Sequence, residues 1–256
     1  MPTTIQLTVI GSGTVAPSVS RVAPGHWVTC GSTSFLLDCG AGILHRAMQL
    51  AIPWPEVTHI AITHFHVDHW GELAHFLFAL RWGVEPARSD PLTIFGPRGI
   101  DARLTTMAAT FGDWVREPGY PLTVTTVEPG DVVQVSDGVQ MEAAKTPHTD
   151  ESLAFAIRSG KKRLVYTGDT GPSDELAAWA ADCDLLLCEC SLPRERAIPM
   201  HLTPEQAGAL AARARAKRLV LTHFYPPLEG TSPEVTAAQH YAGPVVAARD
   251  GDTFIA

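Results

Sequence analysis

Thr63-His64-Phe65-His66-Val67-Asp68-His69-Trp70-Gly71 places four metal-ligating side chains within six positions, three at alternating residues and the fourth directly after them. Upstream, Val57-Thr58-His59-Ile60-Ala61-Ile62-Thr63 is an apolar, β-rich run that predicts a buried strand. Downstream, Trp70, Leu73, Phe76, Leu77 and Leu80 recur at helical spacing. The ligand run therefore falls where a strand hands over to a helix. There a backbone anchored at both ends can fan several side chains around one point.

Four residues further along stand at the borders of apolar segments in the same way, where a scaffold commonly presents functional groups. His148 follows the strand-like Val139–Lys145, Asp169 follows Leu164-Val165-Tyr166-Thr167-Gly168, and His223 follows Leu219-Val220-Leu221-Thr222. His201 lies two residues before Thr203-Pro204-Glu205-Gln206, a run with the features of a helix capping box. Singly, each is an ordinary histidine or aspartate; together with the H-x-H-x-D-H run they read as the rest of a metal site. His26, His45, His59, His75 and His240 have no such company and are read as ordinary residues.

With 256 residues, 45% of them hydrophobic and 18% charged, the chain suits a folded enzyme and not a disordered polymer. A formal charge of −8 argues against a protein coated in basic surface for polyanions. No basic leader with a long apolar core is visible, and no apolar stretch reaches the length of a membrane span. The five cysteines (30, 39, 183, 188 and 190) are odd in number and unevenly placed, unlike a disulfide framework. Cys188-Glu189-Cys190 continues Asp184-Leu185-Leu186-Leu187 and is read as part of a buried strand. A reducing, cytoplasmic setting is the simplest expectation.

The expected order is strands with glycine turns first (residues 1–10 and Ser34–Asp38), then a helix over Ile43–Leu50. The metal run follows, with its helix, then a short strand followed by a turn over Leu92–Pro97 and a helix over Ile100–Phe111. Further strands are expected at Leu122–Val127, Val132–Val135, Val139–Lys145, Leu153–Arg158, Arg163–Thr167, Asp184–Cys190 and Leu219–Thr222, and short ones at Val245–Ala248 and Thr253–Ile255. Helices are expected at Ser173–Ala181 and from Thr203 to about Ala216. Neither Gly11-Ser12-Gly13-Thr14 nor Cys39-Gly40-Ala41-Gly42 has the spacing of a phosphate-binding loop, so both read as tight turns. The layout is one domain over residues 1–256, in two similar halves of roughly 1–125 and 126–256.

Assembled, these residues resemble the metallo-β-lactamase superfamily, from Ile10-Gly11-Ser12-Gly13-Thr14 through Leu37-Asp38-Cys39-Gly40 and His64–Gly71 to His148, Thr167-Gly168-Asp169-Thr170 and Thr222-His223-Phe224. The resemblance implies an α+β fold, a four-layer αββα sandwich with metals at the edge of two sheets. The Asp38-Cys39-Gly40 turn, His201-Leu202-Thr203 and Leu221-Thr222-His223-Phe224 point to the ribonuclease Z-like phosphodiesterase branch. Carried over, His64, His66 and His148 would bind one zinc, Asp68, His69 and His223 the other, and Asp169 would bridge them. His201 would act with Asp68 near the leaving group. Manganese or iron would be accepted by the same ligands. Three departures count against structured transfer RNA as substrate. No insertion is long enough to supply the family's tRNA-gripping arm, Ala41 replaces an acidic residue, and Tyr225-Pro226-Pro227 replaces a Ser/Arg-containing run.

The expected activity is hydrolysis of a small-molecule or nucleotide phosphodiester. Two ions about 4 Å apart would turn bridging water into hydroxide and clamp the attacked and leaving oxygens. Rival readings within the fold are a sulfatase-like, cyclic-phosphate-specific or thioesterase activity; outside enzymes, a metal-binding scaffold. A β-lactamase of the commonest zinc type would prefer Cys at position 169, and a flavodiiron oxidoreductase Glu at position 66. A homodimer is expected from relatives only, with no sequence feature that demonstrates it.

Overall fold

The protein is described over residues 4–256 by a computed structural model. Of the strand expected from residue 1, Met1–Thr3 lie outside the described residues. Strands β1 (Ile5–Gly11), β2 (Gly25–Cys30), β3 (Thr33–Leu37), β4 (His59–Ala61), β5 (Leu92–Gly96) and β6 (Leu122–Thr126) stand side by side in one sheet. The second sheet runs from β7 (Val132–Ser136) and β8 (Val139–Lys145) through β9 (Leu153–Ser159), β10 (Lys162–Tyr166), β11 (Leu185–Glu189) and β12 (Leu219–Thr222) to β13 (Val245–Ala247). The chain changes sheets between Thr126 and Val132, and β14 (Thr253–Ile255) returns to pair antiparallel with β1. Each sheet thus has seven strands.

Alternation sorts the side chains into layers. Ile5, Leu7 and Val9 of β1 meet Leu185 and Leu187 of β11 and Phe155 and Ile157 of β9 in a core between the sheets. Leu36, Ile60 and Ile94 point the other way, under helices α1 (Ile43–Gln49), α3 (Leu73–Trp82) and α4 (Ile100–Phe111). On the far side, Leu186 and Cys188 lie under α5 (Asp174–Trp179), α6 (Pro204–Arg213) and α7 (Pro233–Ala238). The result is the four-layer αββα sandwich. Strands covered on both faces must be apolar throughout, which is why β3 and β11 read as unbroken hydrophobic runs.

β3 to β6 run parallel in the first sheet, and β10 to β13 in the second. Functional loops gather outside the carboxyl ends of such strands. The chain segments after β3, β4, β10, β11 and β12 carry the polar residues considered below.

Local boundaries differ from expectation for identifiable reasons. The strand expected over Val57–Thr63 is regular only at His59–Ala61, because the Thr63 N–H leaves the ladder and donates to the Asp38 carboxylate (2.8 Å). The helix expected from Trp70 is split into α2 (Val67–Trp70) and α3, because the Glu72 N–H is diverted to the Cys39 carbonyl (3.1 Å). α6 ends at Arg213 instead of Ala216, and Arg215 takes a positive φ of 48°. The Thr203–Gln206 capping box is formed on both sides. All five cysteines are buried and unpaired. Among the described residues no helix is long and apolar enough to cross a membrane.

Candidate metal centre

The end of β4 and the first turn of α2 are locked against the turn after β3. The Cys39 N–H donates to the His69 carbonyl (2.6 Å), and a Cβ on Gly40 would lie 1.9 Å from the Asp68 carbonyl oxygen, so only glycine allows the approach. Asp38 anchors the junction while buried, at a left-handed φ of 59°. Its Oδ1 accepts the Thr63 N–H, and its Oδ2 accepts from His69 Nδ1 (2.7 Å), Tyr166 OH (2.8 Å) and Thr63 Oγ1 (2.9 Å). His69 therefore donates from Nδ1; although burial opposes it, Asp169 and Asp38 raise its pKa well above the usual range, so the inward Nε2 presents a lone pair when a cation displaces its proton. His64 and His69 are fully buried and Asp68 nearly so, whereas His66 stands at the surface.

Asp169 sits opposite, after Gly168, whose positive φ (56°) and approach to Thr63 (2.9 Å from an added Cβ) require glycine. One carboxylate oxygen, Oδ2, lies 3.7 Å from His64 Nε2 and 3.6 Å from His148 Nε2; the other, Oδ1, lies 3.2 Å from His69 Nε2 and 3.3 Å from His223 Nε2. The His148 Nδ1–H donates to the Met200 carbonyl (2.9 Å), which leaves Nε2 facing inward, 3.0 Å from His66 Nδ1. His223 adopts a φ of 62°, a costly conformation for a non-glycine residue and one that clusters at functional sites.

Behind His223 and His201 lies Glu189, fully buried. The His201 Nδ1–H donates to its Oε1 (2.9 Å), and Ser191 Oγ donates to its Oε2 (2.5 Å) while lying 2.9 Å from His223 Nδ1. The Thr170 and Leu202 N–H groups complete the carboxylate's partners (2.8 and 3.2 Å). One carboxylate thus orients two histidines, one of them through a serine.

All the residues singled out from the sequence converge. Ligand atoms of His64, His66, His148 and Asp169 lie within 4.8 Å of one another, as do those of Asp68, His69 and His223. Those of Asp169, His201 and His223 form a third such group, so proximity alone does not set His201 apart; its bond to Glu189 does. Asp38, Glu189 and Ser191 join the site although no ligand motif in the sequence points to them. Asp38 was visible only as part of a turn. For Glu189 the available signal was a carboxylate inside an otherwise apolar strand, which burial makes costly unless it is fully bonded.

The cluster fits divalent cations. His64 Nε2 and Asp169 Oδ1 are buried without a hydrogen-bond partner, an arrangement that folded proteins avoid unless something else fills the gap. Burial, and then the neighbouring His69, holds His64 well below the usual imidazole range, so its lone pair is free. Although burial opposes it, His223 and His69 keep Asp169 well below the usual carboxylate range. Imidazole nitrogens mixed with carboxylate oxygens suit zinc, manganese or iron. His201 behaves differently: against the effect of burial, the Glu189 hydrogen bond and charge raise it above an ordinary histidine.

The sequence profile of the β-lactamase superfamily domain matches residues 33–224. Ribonuclease Z of Mycobacterium sp. (strain KMS) is 32% identical over 248 residues, covering 88% of this chain and 85% of that protein. Two solved structures share the fold. The metallo-β-lactamase fold protein YhfI from Bacillus subtilis superposes with a TM-score of 0.84 at 22% identity, covering 99% of this chain and 100% of the other. The short form of human tRNase Z superposes with a TM-score of 0.80 at 24% identity, covering 97% and 98%.

Proposed function

Because the chain belongs to the metallo-β-lactamase superfamily as a ribonuclease Z-like hydrolase, we propose that it is a dinuclear zinc phosphodiesterase acting on small-molecule or nucleotide diesters. The observation that carries this reading is Asp169, whose two oxygens each face a different pair of histidines. In the proposal His64, His66 and His148 hold one cation, Asp68, His69 and His223 the other, and Asp169 serves both. When bound, such a pair lowers the pKa of water and offsets charge gathering on phosphoryl oxygens.

The chain's own part is orientation and proton delivery. Asp38 and the Met200 carbonyl fix the tautomers of His69 and His148, so each ring presents a lone pair without a search. Glu189 holds the His201 Nδ1–H and favours its protonated form, which leaves Nε2–H as the donor to the departing oxygen. Asp68 stays ionised, because hydrogen bonding to His223 and the charge of His69 overcome its burial. It shares the work near the leaving group with His201.

The test is metal analysis combined with turnover of bis(4-nitrophenyl) phosphate, cyclic nucleotides, an aryl sulfate and a thioester. Two metals per chain and a diester preference are expected. His201→Ala should lose turnover while keeping both metals; loss of metal would make His201 a ligand. Asp169→Ala should lose at least one metal, and a fully loaded variant would refute its shared role. A second reading, RNA 3′ processing, is favoured by the mycobacterial relative named ribonuclease Z, and a transfer-RNA precursor in the same panel decides it. A homodimer belongs to the proposal as well. The exposed rings of Phe78, Trp82 and Phe111 on α3 and α4 are the surface it would cover, and sedimentation velocity reads it.

A further inference from the structure

Beside Asp68 the surface opens into a cavity of about 430 Å³. Its walls come from three segments remote in sequence: Val15, Ala16 and Val22 in the loop after β1, Ala41 after β3, and Val67 at the start of α2. We propose that this cavity is a specificity subsite that takes an uncharged alkyl or aryl group carried on the scissile phosphoryl centre. The inference rests on the hydrolase reading above and adds the chemical class of the substituent.

Three observations support it. First, Val15 (54% exposed) and Val67 (65% exposed) leave branched aliphatic surface in water immediately next to a buried polar cluster. Singly such residues are ordinary, but here they share one concavity with Asp68, and its volume is in the range of small-ligand pockets. Second, the polar groups in the wall are already engaged. Thr14 Oγ1 accepts the Ala16 N–H (3.2 Å). The Arg21 guanidinium donates to Ser12 Oγ and to the Ala248 carbonyl (2.6 Å), and stacks over Phe224 at 4.6 Å. The one cation in the wall is therefore already held by protein acceptors and by the Phe224 ring. Third, apart from Arg21 the one charged residue in the wall is Asp68, which the reading above commits to a cation, so no free charge faces an ionic substituent.

The test uses metal-loaded protein and isothermal titration calorimetry with ethyl-, butyl- and hexylphosphonate, and with the same chains ending in a carboxylate. Affinity should rise about fourfold per methylene until the cavity is filled, and a terminal carboxylate should cancel the gain. Ala41→Glu should flatten the series, and Val15→Lys should favour the carboxylate-ended chains; both positions are exposed, and circular dichroism confirms folding. A flat series in the wild type, or an unchanged slope in both variants, overturns the subsite. If the slope is present but no phosphodiester is turned over, the reaction class is wrong and the subsite stands. Diester turnover with a flat slope leaves the hydrolase and removes the subsite.

Discussion

Replacing Asp38 by asparagine should weaken metal binding without touching a single ligand. Oδ1 faces the Thr63 N–H, which cannot turn into an acceptor, so the new amide nitrogen must take the place of Oδ2. There it meets three groups that donate in the wild type. The hydroxyls of Tyr166 and Thr63 can rotate and accept; the His69 ring cannot, unless its proton moves from Nδ1 to Nε2. That move places a proton between His69 and the oxygen of Asp169 now 3.2 Å away, and removes the lone pair offered to a cation. Loss of such a supporting partner costs about 10- to 100-fold in metal affinity, which is about 1.4–2.7 kcal/mol. Tyr166→Phe is the control. It deletes one donor to Oδ2 but leaves the His69 acceptor in place, so affinity should change by less than about threefold. Competition with a chromogenic chelator gives the affinities, and ¹⁵N shifts of the imidazole in metal-free protein at alkaline pH, where the ring is neutral, give the tautomer. If the Asn variant binds metal like the wild type, or keeps its proton on Nδ1, the account of Asp38 is wrong.

Glu189→Gln should lower both turnover and stability. Each oxygen of Glu189 accepts a backbone N–H, so wherever the amide nitrogen sits it faces a donor, at a cost of about 1–3 kcal/mol in a denaturant melt. Unchanged stability would mean that the carboxylate is not fully committed. His26 makes acid stability testable. Burial, followed by the charges of His69 and His223, lowers its pKa to about 3 against 6.5 in an unfolded chain. Between those values the unfolded state binds the extra proton, so this contribution is complete above pH 6.5 and is lost as the pH falls towards 3. The slope amounts to roughly 4–5 kcal/mol across the window. His26→Leu in metal-free protein should flatten the stability profile there, and an unaltered slope would place the acid sensitivity elsewhere.

Much of this arrangement can be read from the chain, because strands buried on both faces and capped helices have one-dimensional signatures. Ligands at the ends of apolar runs, such as Asp169 after Gly168 and His223 after Thr222, are visible for the same reason: a polar residue interrupts a pattern. What escapes is whatever depends on one sheet meeting the other. Asp38 and Tyr166 are 128 positions apart and touch only because the sheets stack. Glu189 looked like an extension of a hydrophobic strand flanked by cysteines, since its partners His201, Ser191 and Leu202 are set by loop geometry and not by periodicity. The apolar cavity beside Asp68 is invisible for a similar reason. Val15, Ala41 and Val67 share no pattern until β1, β3 and β4 are gathered into one sheet around β2.

The four ligands of the His64–His69 run after β4 belong to one sheet, whereas His148, Asp169 and His223 belong to the other. Any ion held among them acts as a clasp across the sandwich, gripping two layers that the chain joins directly only through residues 127–131 and the return of β14. A ligand that binds the folded state alone adds about 2.7 kcal/mol at a hundred times its dissociation constant. Resistance to heat and to proteolysis should therefore follow the free metal concentration around the protein, so that a cell short of metal would hold less of this protein as well as less of its activity.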